Sequence, residues 1–414
     1  MDNTYQPIED QKRTAIVDIL RGWALLGVVI GNYIDFVYIG SSTSTIPNSP
    51  ISNVLKEIIR YFFAAKSWTL LSILFGYGFA ILINNVASKG KNPVSFFCWR
   101  MICLFILSFI NSAIWLGDIL KDYAFLGLIL LLFYKSSAKT IIRTSILLFI
   151  LTPFIHAFVN SITLILPDVN TDPKYLLLYH SGNLFDVFKF NLLGTYYGEI
   201  LFLNYAITVH IVMFACMLLG FYAQKTNFFN RLHELKKQLK KIFFISLSVA
   251  VPLGVLFKIA TINKASFLTY FNPVFWLIIS TMLFIASGLC LLYINNKLKT
   301  IFSYFRFSGK MTLTNYMVQN ILSLFIFSGI GMNISNTMPY WFYFVLAISV
   351  FTIQLFLSKW WLSKFNYGPV EWLWRVLSYR RIFPFKKVEE SPVSVEVNSD
   401  VDQKKESILE TVKY

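Results

Sequence analysis

Apolar runs close to the ~20 residues that a helix needs to cross a bilayer recur along almost the whole chain, and this repetition leaves few folds open. Ten can be read, at roughly 15–37, 62–84, 95–116, 119–134, 141–166, 200–223, 241–261, 273–295, 312–330 and 340–362. In lipid every backbone N–H and C=O must be satisfied inside its own segment, so runs of this length become helices. The expected fold class is all-α: a polytopic membrane protein of about ten transmembrane helices. Hydrophobic residues fill 56% of the 414 positions and charged ones 14%, a balance that a soluble chain sustains only with a very large core.

A net charge of +16 would suggest a nucleic-acid partner in a soluble chain. Here its distribution explains it. Most of the 37 Lys and Arg fall in alternate connecting segments, from Lys12 and Arg13 to the ten that begin at Lys359. By the positive-inside rule these segments face the cytoplasm, and an even number of spans then brings both termini there. The expected location is the bacterial cytoplasmic membrane, with lipids as partners and no nucleic acid.

Four parts are expected: a cytoplasmic N-terminal segment (1–14), the transmembrane helical domain (15–364), a basic and aromatic amphipathic segment (365–387), and a disordered tail (388–414). The N-terminus lacks the small-residue cleavage pattern of a signal peptide, so the first span is expected to be retained. Residues 167–198 hold aromatic-rich stretches too short to span, which suits an interfacial or re-entrant helix. Cys98, Cys103, Cys216 and Cys290 lack metal-site spacing, and no HExxH or His/Cys/carboxylate cluster occurs, so no metal is expected.

Polar groups inside the spans are the candidates for chemistry, because lipid tolerates them poorly. In the first run Asp18 and Arg21 are three residues apart and share a helix face. Asn32, eleven residues beyond Arg21, lies on that face about 16 Å higher, with Asp35 one turn on. The alternative is an arginine that snorkels to the headgroups beside a neutralising Asp18. Asp118 reads first as a helix cap, and with Asn111, Lys121 and Asp122 it places polar groups at the outer face. His156 and His210 lie well inside the fifth and sixth runs, as interhelical hydrogen-bonding groups or proton carriers. Asn315, Tyr316 and Gln319 occupy one face of the ninth run, to pack a bundle or to grip a ligand. Glu371 and Arg375 are spaced i and i+4 in a segment whose tryptophans suit an interfacial anchor.

Five stretches, in order, carry a resemblance: DILRGWALLGVVIGN, KSWTLLSILFGYGFA, GDILKDYAFLG, FSGKMTLTNYMVQN and YGPVEWLWRVLSYRR. Together they resemble the YeiB-like family, bacterial multi-pass membrane proteins whose domain has no assigned function. That family's first helix in turn resembles the transmembrane acyltransferases, whose motif is an Arg, ten intervening residues and a His. Arg21 matches the Arg, but Asn32 stands at the His position, and an amide cannot serve as a general base. Many family members also carry a His about eight residues before the GDIL aspartate, where this chain has Ile110.

The resemblance implies an acyl transferase that moves an acyl group from a cytoplasmic thioester to an acceptor at the outer face. Acyl-CoA would be the co-substrate and a lipid or glycan the acceptor, with no tightly bound cofactor. Catalysis would fall to His210, His156 and Asn32, and substrate binding to Asp18, Arg21, Asp35, Asn111, Asp118, Asn315, Tyr316, Gln319, Glu371 and Arg375. A transporter or lipid-binding protein without covalent chemistry is a second open reading, and a structural or assembly protein whose polar groups merely pack helices is a third.

Overall fold

The computed structural model describes residues 14–40 and 49–387, so the tail, most of the N-terminal segment and much of the Gly40–Asn53 connector lie outside the described residues. Fifteen α-helices follow in chain order: α1 Ala15–Asp35, α2 Pro50–Phe62, α3 Lys66–Ala87, α4 Pro93–Ile114, α5 Leu120–Leu130, α6 Ala138–Ser161, α7 Pro173–Tyr179, α8 Leu184–Thr195, α9 His210–Lys225, α10 Lys236–Ile262, α11 Val274–Ile294, α12 Lys299–Lys310, α13 Thr312–Phe327, α14 Tyr340–Lys364 and α15 Pro369–Tyr379. No strand forms among the described residues, apart from a single bridge between Phe365 and Lys386.

The protein is an all-α polytopic membrane protein. Every expected apolar run is helical, and among the described residues eight helices are long and apolar enough to cross a membrane. The fourth and ninth runs give shorter helices. The fourth becomes the 11-residue α5, and the ninth the 16-residue α13, which follows α12 after a break at Met311. Each buries most of its length but leaves an apolar edge exposed, Phe125 and Leu128 on α5 and Ile321, Leu322 and Phe325 on α13. Residues 167–198 form the two short helices α7 and α8.

α1 is the most enclosed span, with 61% of its apolar window buried against 17% for α10. It packs on α3, α12 and α14, whereas α10 leans on α11 and turns Phe244, Ile245, Val251, Val255 and Ile259 outward. In a chain of this class such exposed side chains meet lipid acyl chains. Between helices there is no hydrophobic drive within lipid, so close approach and polar bonds must hold the bundle. Ser145 on α6 donates to the Ala215 carbonyl of α9 at 2.7 Å. Gln319 on α13 donates to Gln354 on α14 at 2.6 Å, and Asn315 to Ser358 at 2.9 Å.

Both described chain ends lie at one face. Thr14 bonds Asn230 beyond α9, and α15 packs on the start of α4, where Trp374 donates to the Arg100 carbonyl at 3.3 Å. The opposite face carries α2, α7, α8 and the α4–α5 turn.

Candidate functional site

A cavity of about 750 Å³ opens at the face where the chain ends lie. Arg21, Lys89, Arg100, Lys310 and Arg375 border it, with Asp18 and Glu371 as the carboxylates. Arg21 bonds Asp18 at 3.0 Å, as their spacing predicts. Arg100 stacks on the Trp374 ring at 3.7 Å, and Arg375 lies over Tyr367 at 4.4 Å. Such planar cations match phosphate oxygens and aromatic faces alike. Leu25, Val28, Leu74, Phe75, Phe97 and Leu104 line the deeper part, and Ile119, Leu120, Tyr123 and Tyr316 also form part of its wall.

Tyr316 connects this cavity to a buried polar cluster. Its hydroxyl donates to Asp118 at 3.3 Å, and Asp118 is fully buried. Asn111 donates to the same carboxylate at 2.8 Å and is itself held by Asn320 at 3.1 Å. The Leu120 N–H donates to Asp118 at 3.2 Å, so Asp118 does cap the start of α5. One turn later come Lys121 and Asp122. The Lys121 ammonium donates to the Asp118 carbonyl at 2.7 Å, pairs with Asp122 at 3.2 Å and pairs closely with Glu199. Tyr205 donates to Asp122 at 2.7 Å.

His210 completes the cluster from α9. Its Nε2 faces Asp122 at 3.1 Å and its Nδ1 faces the Tyr205 carbonyl at 3.1 Å. Both partners are acceptors, while a neutral imidazole has one N–H. Neither nitrogen keeps a lone pair directed elsewhere, so a reacting group reaches His210 only through Asp122. Two π-helical turns, Tyr196–Ile200 and Asn204–Val209, present Glu199 and Tyr205. Such turns widen a helix locally and frequently mark functional sites.

The structure thus gathers Asn111, Asp118, Tyr316 and His210 in one place, and Asp18, Arg21, Glu371 and Arg375 around the cavity. The remaining expected residues lie apart. His156 accepts at Nε2 from Asn160 at 3.1 Å and donates at Nδ1 to Asn204 at 3.2 Å, while Asn204 closes the ring onto Asn160 at 2.6 Å. Its hydrogen-bonding capacity is spent. Asn315 and Gln319 tie α13 to α14, Asn32 is half-buried with no partner for its buried amide nitrogen among the described residues, and Asp35 is exposed. Lys121 and Asp122 stood out in the sequence only as polar groups near Asp118. Glu199, Tyr205, Asn320 and Arg100 gave no signal there. Among the described residues no group of three or more His, Cys, Asp or Glu could hold a metal ion.

Glu371 has a structural task as well. It accepts from the backbone N–H groups of Leu313 at 2.6 Å and Thr314 at 3.1 Å and from the Thr314 hydroxyl, capping α13 from another helix. Burial pushes its carboxyl above the usual carboxylate range, against the pull of the Thr314 donors. The folded state then binds this proton more tightly than the unfolded chain. Its contribution to stability is full below the usual glutamate range and is lost as pH rises above it. Glu371→Gln is expected to remove that slope from stability measured against pH, and Glu371→Ala to cost about 0.5–2 kcal/mol, as for other lost caps.

Residues 223–381 match the family described as "Protein of unknown function (DUF418)". That segment includes Asn315, Tyr316, Gln319, Glu371 and Arg375, and leaves the α4–α5 and Glu199–His210 parts of the cluster outside. Similarity to individual proteins extends further. The chain is 27% identical over 416 residues to "Uncharacterized protein YxaH" of Bacillus subtilis (strain 168), covering 93% of this chain and 99% of that protein. It is 27% identical over 382 residues to the "Uncharacterized 39.9 kDa protein in amylase 3'region" of Bacillus acidopullulyticus, covering 91% and 97%. With "Uncharacterized protein YeiB" of Escherichia coli (strain K12) it shares 37% identity over 76 residues, 18% of this chain and 19% of that protein.

Proposed function

We propose that this YeiB-like membrane protein transfers an acyl group from an anionic thioester such as acyl-CoA to a hydroxyl acceptor on the far side of the membrane. The observation that carries the reading is the cavity itself: cations at one end, apolar walls, and Tyr316 on Asp118 within the wall. Arg21, Lys89, Arg100, Lys310 and Arg375 would take the donor's phosphates, since charge-assisted pairs to phosphate are strong and Arg suits them geometrically. The positive-inside rule then puts that face in the cytoplasm, where acyl-CoA is found.

In the step itself the acceptor oxygen bonds to the thioester carbonyl carbon and the C–S bond breaks. The acceptor's proton passes through Tyr316 to Asp118 and is returned to the departing thiolate, so charge and protons balance. Asn111 orients Asp118. His210 and Lys121 act through Asp122 and through the Asp118 backbone, and so are positioning residues rather than groups that touch substrate. Asn32 and His156 take no part in this scheme.

Purified protein titrated with acyl-CoA tests the donor site. A ligand at a hundredfold over its Kd adds about 2.7 kcal/mol of stability, read as a higher melting temperature. Arg21→Ala is expected to weaken acyl-CoA about tenfold or more, as for a lost charged hydrogen bond. No shift with acyl-CoA of any chain length, together with no transfer of labelled acyl groups, overturns the proposal.

One observation favours proton-coupled transport instead: the two π-helical turns, one carrying Glu199 and the other leading into His210, since broken helices often build transport sites. Proton-driven uptake into vesicles that disappears in His210→Ala would select that reading.

A further inference from the structure

We infer that His156, Asn160 and Asn204 form an acid-sensitive latch, which holds the π-helical turn Asn204–Val209 on α6 while His156 is neutral and releases it when both imidazole nitrogens carry protons. Three bonds close a ring: His156 Nδ1 with Asn204 at 3.2 Å, Asn204 with Asn160 at 2.6 Å, and Asn160 with His156 Nε2 at 3.1 Å. Each member of such a ring must give one hydrogen and take one. A neutral imidazole does so in either tautomer, because the two amides can turn over together to match it. An imidazolium gives two and takes none. Whichever way the amides then turn, one edge sets donor against donor.

The place of the ring in the fold supplies both the trigger and the moving part. α6 starts on the side of the cation-lined cavity, where Lys225 donates to the Ser136 carbonyl at 2.7 Å, and Asn160 lies one residue from its far end and is exposed. A proton can therefore arrive from the opposite face. α6 itself is fixed there. Pro153 has no N–H to offer the Phe149 carbonyl, which accepts instead from the Trp276 indole at 2.6 Å, while the Pro153 carbonyl accepts from the Asn272 N–H at 3.1 Å. Asn204, by contrast, opens the π-helical turn, in which Tyr205 donates to Asp122 and which leads directly into His210. When an edge of the ring opens, the turn is the part that moves, and the hold of Tyr205 and His210 on Asp122 loosens with it.

The imidazole is bonded only to neutral amides. α9, α11, the π-helical turn and the 3₁₀ turn Ser266–Thr269 pack on α6. Their titratable side chains are His210, Cys216 and Lys225 on α9, Cys290 and Tyr293 on α11, and Tyr205, with Lys264 and Tyr270 in the connection from α10 to α11. None of these bonds His156 among the described residues. Lys139 and Arg143 of α6 itself lie more than three turns away, and the Phe275 ring stands perpendicular to the imidazole at 5.1 Å.

Hydrogen exchange of full-length protein in nanodiscs tests the latch, with protection compared at about pH 7.5 and about pH 5 after correction for the intrinsic pH dependence of exchange. In wild type, residues 204–210 are expected to lose protection roughly fivefold in acid, as for one lost hydrogen bond, while α6 around Pro153 keeps its own. His156→Gln offers a donor and an acceptor at every pH and should hold the turn closed throughout. Asn160→Ala changes an exposed side chain, should leave the turn open at both pH values, and decides the matter even if His156→Gln does not fold. Three results overturn the inference: a wild-type turn equally protected at both pH values, a loss in acid that persists in His156→Gln and so belongs to His210, or an Asn160→Ala turn still closed at neutral pH.

Discussion

Replacing Gly220 by valine is expected to remove most of the correctly folded protein. A Cβ at Gly220 would stand 1.8 Å from the Ile73 carbonyl oxygen and 2.9 Å from the Tyr77 nitrogen. From the other side, a Cβ at Gly76 would stand 1.9 Å from the Met217 carbonyl oxygen. These neighbours are backbone, so no side-chain rotation relieves the contact and α3 must part from α9. Overpacking a core costs typically 1–3 kcal/mol, and this case belongs at or beyond the upper end. α9 also carries His210, so the separation would draw it from Asp122. Gly31→Ala is the control, since a Cβ there meets nothing within 4 Å and helical alanine is favoured by about 0.5–1 kcal/mol. Melting temperature and monodispersity on size exclusion report both. A Gly220→Val protein as stable as wild type would mean that α3 and α9 do not cross this closely.

The spans were legible because hydropathy alone sets them, and the first span's Asp18–Arg21 pair because spacing along one helix is a local property. What the sequence hid was every relation between distant segments. His210 stood out as a histidine inside an apolar run, yet its partner Asp122 lies 88 positions away and read as an ordinary polar residue near a turn. Glu199 fell at the boundary of a run, where a carboxylate is unremarkable, and nothing local announces the π-helical turn that aims it at Lys121. Glu371 and Arg375 illustrate the converse. Their i and i+4 spacing suggested a pair, but the Glu371 carboxylate crosses to the first turn of α13, where unpaired N–H groups are the stronger claim. Asn32 was singled out by its place on the Arg21 face and then by a borrowed motif, and neither says what surrounds a side chain. In the fourth and ninth runs the apolar stretch continues past the helix itself, since α5 passes into a 3₁₀ turn at Leu131 and α13 starts only after the break at Met311.

The buried cluster itself provides the other large effect. Lys121, Asp122 and Glu199 have side chains 13%, 3% and 11% exposed, so none is substantially solvated. Lys121→Ala leaves two carboxylates without the ammonium they share, with the His210 ring beside Asp122. Removing one partner from a buried ion pair typically costs 3–5 kcal/mol, because the survivor's charge stays desolvated. A loss of about that size is expected in thermal or SDS unfolding. Glu199→Gln alone should cost less, since it removes a charge that Lys121 shares with Asp122. Lys121→Met combined with Glu199→Gln should fall well short of the sum of the single losses, the mark of side chains that act as a unit. Additive losses, or a Lys121→Ala cost below about 1 kcal/mol, the range of exposed pairs, would mean that water reaches these groups. The network could then not hold His210 against Asp122, the contact on which the positioning role rests.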